Sequence, residues 1–166
     1  MTEREEIERN GGFTLPATYR QMYEAGLVVP GDERQLVLSD TRWFSFEQVL
    51  AQDWVTRDTS QHVYFARSGR GDGWGWDPRI ATAPEPPIVL AARDVNRTTG
   101  FAPSFHGAIY RLLLEEMSSS WLCDALQCAP HELSAIFQDS VARCAPFLPK
   151  SWVLTLEELA SRSVIA

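Results

Sequence analysis

Cysteine and histidine are the side chains of this sequence best suited to bind a metal ion. Four such residues lie in one stretch: Cys123, Cys128, His131 and Cys144. If residues 131–144 form one helix, its ends lie about 20 Å apart at a rise of 1.5 Å per residue, too far to share one zinc ion. Cys123, Cys128 and His131 lack the two-residue cysteine spacing of common zinc sites. We therefore predict no metal site and cysteines that pack as small apolar side chains.

Acid–base or nucleophilic catalysis would need a placed partner for one of the histidines. The chain has no Gly-x-Ser-x-Gly motif, and the adjacent Glu115 and Glu116 point in different directions on a helix, so they form no acid pair. His62 is expected at the start of a strand, and His106 and His131 in the first turns of helices. A small enzyme would use His106 or His131 beside a carboxylate. Because no such constellation is evident in the sequence, we predict no catalytic residues, no cofactor and no enzymatic activity.

Residues 69–77, with the sequence GRGDGWGWD, combine four glycines with two tryptophans and two aspartates. Gly69, Gly71 and Gly73 lack the spacing of a dinucleotide-binding site, and no Gly-Lys-Ser or Gly-Lys-Thr phosphate loop is present. A calcium loop would need more carboxylates. The pattern is instead typical of a β-hairpin, in which Asp72 bonds to turn amides. Trp74 and Trp76 then share one face of the second strand.

The composition is that of an acidic globular protein. The chain has 166 residues, enough for one domain with a substantial core, and a net charge of −7. Negative charge disfavours nucleic acid as a direct ligand and favours a basic protein partner. The sequence contains no apolar run long enough for a membrane helix and no secretory signal at residues 1–6. Its three cysteines, an odd number, predict reduced thiols and a cytoplasmic location.

The order of the predicted elements favours an α+β fold. Thr14 is the predicted N-cap of a second helix that Gly26 ends, and Ser45 with Gln48 predicts a capping box. Other predicted helices are 1–12, 104–117, 121–127, 131–144 and a last one opened by Thr155 and Glu158. Predicted strands are 36–38, 62–66, 74–76 and 88–92. Since strict β-α-β alternation is missing, we expect an antiparallel sheet packed by helices.

Several segments, taken in order, resemble the SUKH superfamily, which includes the fungal cell-wall-assembly regulator and many bacterial immunity proteins. These segments are Leu15-Pro16-x-x-Tyr19-Arg20 with Gly26, Trp43–Glu47, Val63–Trp74, Pro87–Leu90 and the helix from Ser104 to Met117. The resemblance covers about residues 5–117. It implies a SUKH-like α+β domain at 1–117. Residues 118–166, which follow the triple serine 118–120, are then a C-terminal helical extension packed on the same domain.

The resemblance implies a protein-binding domain that is not an enzyme. Bacterial members neutralise polymorphic toxins, often nucleases, by direct binding; a regulatory scaffold for cellular proteins is the alternative that the fungal members suggest. The residues given structural roles are Leu15, Pro16, Tyr19 and Gly71. The predicted partner-binding residues are Asp72, Trp74, Trp76 and Asp77. One tryptophan is expected on an open face of the sheet, where an aromatic ring can anchor a partner; burial in the core is the alternative.

Overall fold

The structure is a computed structural model that describes residues 1–36, 38, 40–51, 62–80, 85–93, 97–117 and 130–162. The chain divides into two compact units, Met1–Gln35 with Asp40–Ala108, and Leu36–Ser39 with Ile109–Ala166. The first unit therefore ends within the helix that follows Ser104, earlier than the predicted boundary at residue 117. That the C-terminal extension packs on the same domain stays a prediction.

An antiparallel sheet forms the framework of the first unit, which confirms the predicted α+β class. Its strands follow one another in chain order: β1 (Thr41–Trp43), β2 (Val63–Ser68), β3 (Gly73–Trp76), β4 (Ile88–Ala92) and β5 (Arg97–Ala102). The predicted hairpin of β2 and β3 is present, and Gly71 takes a φ of +93° in its turn. The predicted strand at 36–38 is wrong at Leu36 and Leu38, which lie outside the sheet, and Val37 is outside the described residues.

Helices α1 (Glu3–Gly11), α2 (Ala17–Glu24) and α3 (Phe46–Ala51) complete the first unit together with the start of α4 (Phe105–Met117). Ser45 and Gln48 form the predicted capping box at α3, because each side chain bonds the backbone N–H of the other. Ser104 accepts the Gly107 N–H at the start of α4. The predicted cap at Thr14 is wrong, since Pro16 occupies the N-cap of α2 and fixes its entry.

The centre of the first unit is an aromatic cluster around the fully buried Trp76. Its ring centroid lies 4.5 Å from that of Phe65, 4.9 Å from Tyr19, 5.5 Å from Phe13 and 6.3 Å from Phe105. Sheet, helices and the segment between α1 and α2 therefore each contribute a ring. Tilted and edge-to-face contacts of this kind add to the stabilisation from apolar burial.

The second unit contains the rest of α4, then α5 (Pro130–Cys144), a 3-10 turn (Ala145–Phe147) and α6 (Lys150–Arg162). Leu133, Phe137 and Ala160 form its apolar cluster. The predicted helix start at Thr155 is wrong: α6 begins after Pro149, and the Thr155 hydroxyl donates to the Ser151 carbonyl inside the helix. The predicted helix at 121–127 lies outside the described residues.

Candidate partner-binding surface

Both tryptophans of the glycine-rich segment are buried. Trp76 is 0 % exposed and Trp74 is 8 % exposed. All four residues of β3 are buried, so both faces of the sheet are covered at this central strand. The expectation that one tryptophan lies on an open face of the sheet is therefore wrong, and the alternative, burial in the core, is confirmed. A partner contact at Trp74 or Trp76 stays a prediction.

Asp77 is also unsuited to the partner contact predicted for it. Its buried carboxylate accepts three hydrogen bonds from Arg79, through the backbone N–H (3.1 Å), Nε (2.8 Å) and Nη2 (2.8 Å). These bonds from Arg79 hold the pKa of the Asp77 carboxyl below its usual value, against the opposing effect of burial. His62 Nε2 lies 3.6 Å from the same carboxylate. Asp77 thus fixes the chain after β3 rather than facing outward.

Replacing Asp77 by asparagine is expected to lower the free energy of unfolding at pH 7 by about 1.5–3 kcal/mol, the range for hydrogen bonds to a charged group. Because the folded-state pKa is lowered, the carboxylate stabilises the fold above its unfolded pKa of about 4, and this contribution is lost as the pH falls through the folded value. Urea unfolding from about pH 7 to about pH 3 should therefore show the wild type and Asp77→Asn converging.

Asp32 provides the matched control, because Arg34 donates to it with the same three groups. These bonds lower the pKa of Asp32 to about 2, but its side chain is more exposed than that of Asp77. Asp32→Asn should cost less stability, since water replaces the lost bonds. Equal losses for the two variants would contradict a role for burial at Asp77.

The residues given structural roles lie inside the fold. Leu15, Pro16 and Tyr19 are buried at the start of α2, and Gly71 forms the β2–β3 turn. Asp72 is half-buried; its Oδ1 accepts the Arg93 N–H from the end of β4, rather than an amide of its own turn. A partner contact at Asp72 stays a prediction.

The histidine–carboxylate pair at α4 serves the helix start. His106 Nε2 lies 3.4 Å from Ser104 Oγ, and His106 Nδ1 lies 3.8 Å from Glu85 Oε1. However, Glu85 accepts the Phe105 N–H at 3.0 Å, and Ser104 Oγ accepts the Gly107 N–H at 3.2 Å. Both oxygens therefore satisfy the free amides of the first helical turn. That the chain is not an enzyme stays a prediction.

Cysteine placement bears on the predicted absence of a metal site. Cys144 is fully buried, and burial raises the pKa of its thiol to about 12. Cys123 and Cys128 lie outside the described residues, as does the side chain of His131. Within the described part of the chain, no group of three or more potential ligands is placed to hold a metal ion.

A half-buried aromatic pair joins α2 to α3. The rings of Tyr23 and Phe46 stack with their centroids 4.0 Å apart and an interplanar angle of 7°. Each ring is partly accessible to solvent, unlike the fully buried Tyr19 beneath them, which lies 5.9 Å from Tyr23 and 6.4 Å from Phe46. The pair is thus a rigid aromatic platform at the edge of the core.

Carboxylates accompany this platform. Glu24 follows Tyr23 and Glu47 follows Phe46 in the chain. Glu3, Glu24 and Glu47 are all exposed. The pKa of the Tyr23 hydroxyl is raised: burial raises it most, a hydrogen bond from the Phe46 backbone lowers it, and the Glu3 carboxylate raises it. We call Glu3, Tyr23, Glu24, Phe46 and Glu47 the acidic aromatic surface.

Sequence reasoning assigned Tyr23 and Phe46 only to the apolar sides of their helices. The stacking joins residues far apart in the chain, so spacing could not predict it. One usable signal was the residue type of Tyr23, since tyrosine at the end of an apolar stripe often keeps its hydroxyl in water.

None of the helices in the described residues has the length and hydropathy needed to cross a lipid bilayer. Comparison of the chain with protein-family models, with curated proteins and with solved structures gave no match.

Proposed function

We propose that this chain is a non-enzymatic protein-binding domain of the SUKH type, which acts as an immunity protein and neutralises a toxin domain by direct binding. The observation that carries the proposal is the acidic aromatic surface. A stacked pair of aromatic rings gives large contact area with little conformational entropy to lose, as in the anchors of protein interfaces.

Charge favours a basic partner at this surface. Nuclease toxins bind phosphate backbones through basic clefts, and Glu3, Glu24 and Glu47 would oppose such a cleft. The net charge of −7 accelerates the encounter by steering. The mechanism is occlusion: the aromatic pair docks against the rim of the cleft and the carboxylates replace the nucleic acid. We place this binding in the cytoplasm, where reduced thiols are expected.

The experiment is co-expression with the protein encoded by the neighbouring gene, followed by calorimetry on the purified pair. The wild-type chain should restore growth and bind. Phe46→Ala should weaken binding about 30-fold, the effect of an interface residue worth about 2 kcal/mol. Thermal unfolding of the variant separates a binding loss from a folding loss.

Glu157→Lys is the matched control for a charge reversal at Glu47, because Glu157 is an exposed glutamate of α6 in the second unit. Glu47→Lys should weaken binding and Glu157→Lys should not. If the neighbouring protein is neither bound nor neutralised, the immunity function is wrong. A cellular protein bound at the same surface would instead identify the regulatory scaffold, the alternative function.

A further inference from the structure

Strand β5 forms one edge of the five-stranded sheet, and most of it is open to solvent. Arg97, Thr98, Thr99 and Gly100 are four consecutive exposed residues. Because side chains alternate between the two faces of a strand, this run leaves both faces uncovered. At the opposite edge of the sheet, two of the three residues of β1 are buried. The β5 edge is therefore accessible to another extended backbone.

The hydrogen-bond pattern of the sheet shows which backbone groups of β5 point outward. Asp77 donates its N–H to the Pro87 carbonyl at 3.0 Å, in continuation of the β3–β4 register. Bonded pairs alternate along antiparallel strands, so β4 bonds to β3 through its odd-numbered residues and to β5 through its even-numbered ones. Thr99 faces residue 90 and thus bonds to β4, whereas its neighbours Thr98 and Gly100 face odd-numbered residues.

The N–H and C=O groups of Thr98 and Gly100 consequently point away from β4. Within the described part of the chain, no hydrogen bond to these outward groups is found. A Cβ built on Gly100 would also meet no atom within 4 Å. A strand edge with outward N–H and C=O groups at alternate residues is a template for pairing with a further strand.

A second copy of the same strand fits this edge. When a two-fold axis relates two antiparallel strands, the central residue faces its own copy. With Thr99 at the centre, Thr98 of each copy faces Gly100 of the other, and their outward groups form four hydrogen bonds. The two Thr99 side chains lie directly opposite each other, a threonine pair of the kind that stabilises a sheet. The open space at Gly100 admits the Thr98 side chain of the second copy.

The charge of Arg97 favours this register over its neighbours. With Thr99 at the centre, the two Arg97 residues lie about 14 Å apart, four residue spacings along the strands. This distance exceeds the Debye length of about 8 Å at physiological ionic strength. With Thr98 at the centre they would lie about 8 Å apart, and with Arg97 at the centre they would face each other, which destabilises a sheet.

We propose that β5 is a self-association edge, through which two copies of this chain pair about a two-fold axis at Thr99 and join their sheets into one. Two strands of about six residues bury less than the about 1,200 Å² of a standard interface, so the dimer is weak and forms at high protein concentration. The inference goes beyond the proposed function, because β5 contains no residue of the acidic aromatic surface.

The test is sedimentation velocity of the full chain between about 20 μM and about 1 mM, the range in which a weak dimer dissociates. The sedimentation coefficient of the wild type should rise with concentration. Thr99→Lys and Thr99→Glu should each weaken the dimer about fivefold, since like charges then face each other. An equimolar mixture of the two variants should associate more strongly than either variant alone, because opposite charges then meet.

Thr155→Lys is the matched control, because it places the same charge on an exposed threonine of α6 in the second unit. It should leave self-association unchanged. A wild type that stays monomeric over the whole range, an equal loss in Thr155→Lys, or a mixture that associates no better than its components would each overturn the proposal. Phe46→Ala should leave self-association unchanged, so failure at the β5 edge and failure of toxin binding are separate results.

Discussion

Replacing Trp76 by alanine is expected to lower the free energy of unfolding by about 3–5 kcal/mol, the range for large aromatic side chains removed from a packed core. The indole contacts rings from α2, β2 and α4, and its removal leaves a cavity that these elements cannot all close. A domain of this size has a total stability of about 5–15 kcal/mol. Urea unfolding followed by circular dichroism should therefore show a much lower midpoint.

Trp152→Ala is the matched control, since this partly exposed tryptophan packs on Tyr110 in the second unit. Trp152→Ala should lower the free energy of unfolding less than Trp76→Ala does, because less buried apolar area is lost. A Trp76→Ala variant that keeps its unfolding midpoint but loses partner binding would show that the indole is a contact residue. That result would contradict the structural placement and support the original prediction.

Local signals in the sequence predicted the parts of the fold that depend on neighbours in the chain. The Ser45–Gln48 capping box and the Ser104 cap each link residues three apart, and both are present. The β2–β3 hairpin follows from a turn that needs a positive φ at Gly71. In each case a hydrogen bond or a backbone angle acts within a few residues, so residue types can predict it, although the same kind of signal was wrong at Thr14 and Thr155.

Strand β5 shows where local reasoning fails. Its sequence, RTTGFA, contains a glycine and lacks an apolar run, so it carries no strong strand signal. It becomes a strand because its backbone pairs with β4 along the whole edge. The burial of Trp74 and Trp76 is likewise non-local, since the rings that cover them, Phe101 for Trp74 and Tyr19 and Phe105 for Trp76, belong to other elements.

The net charge describes only the average charge of the surface. A total of −7 suggested an acidic surface, yet the first unit carries both signs, with ion pairs such as Arg4–Glu8 and Arg34–Asp32. Glu3, Glu24 and Glu47 are exposed, whereas the charged residues of strands β1 to β5 are all arginines. At a Debye length of about 8 Å a partner senses such local groups rather than the total.

Gly75→Ala is expected to destabilise the first unit by about 1–3 kcal/mol, the usual cost of overpacking. A Cβ at this position would lie 2.9 Å from the Val63 carbonyl oxygen and 3.0 Å from Tyr64 Cα, both backbone atoms of β2. Because Gly75 pairs directly with Tyr64, the two strands would have to separate to admit a methyl group. Urea unfolding of the variant measures the loss.

Gly100 on β5 is the control, because a Cβ there meets no atom within 4 Å. Gly100→Ala should leave stability unchanged or raise it by up to about 1 kcal/mol, since alanine restricts the unfolded chain more than glycine does. A glycine-to-alanine substitution is thus expected to lower stability at Gly75 and to leave it unchanged or raise it at Gly100, because only Gly75 lies close to the backbone of a neighbouring strand. If Gly75→Ala proved as stable as Gly100→Ala, the pairing of β3 with β2 would have to differ from the register described.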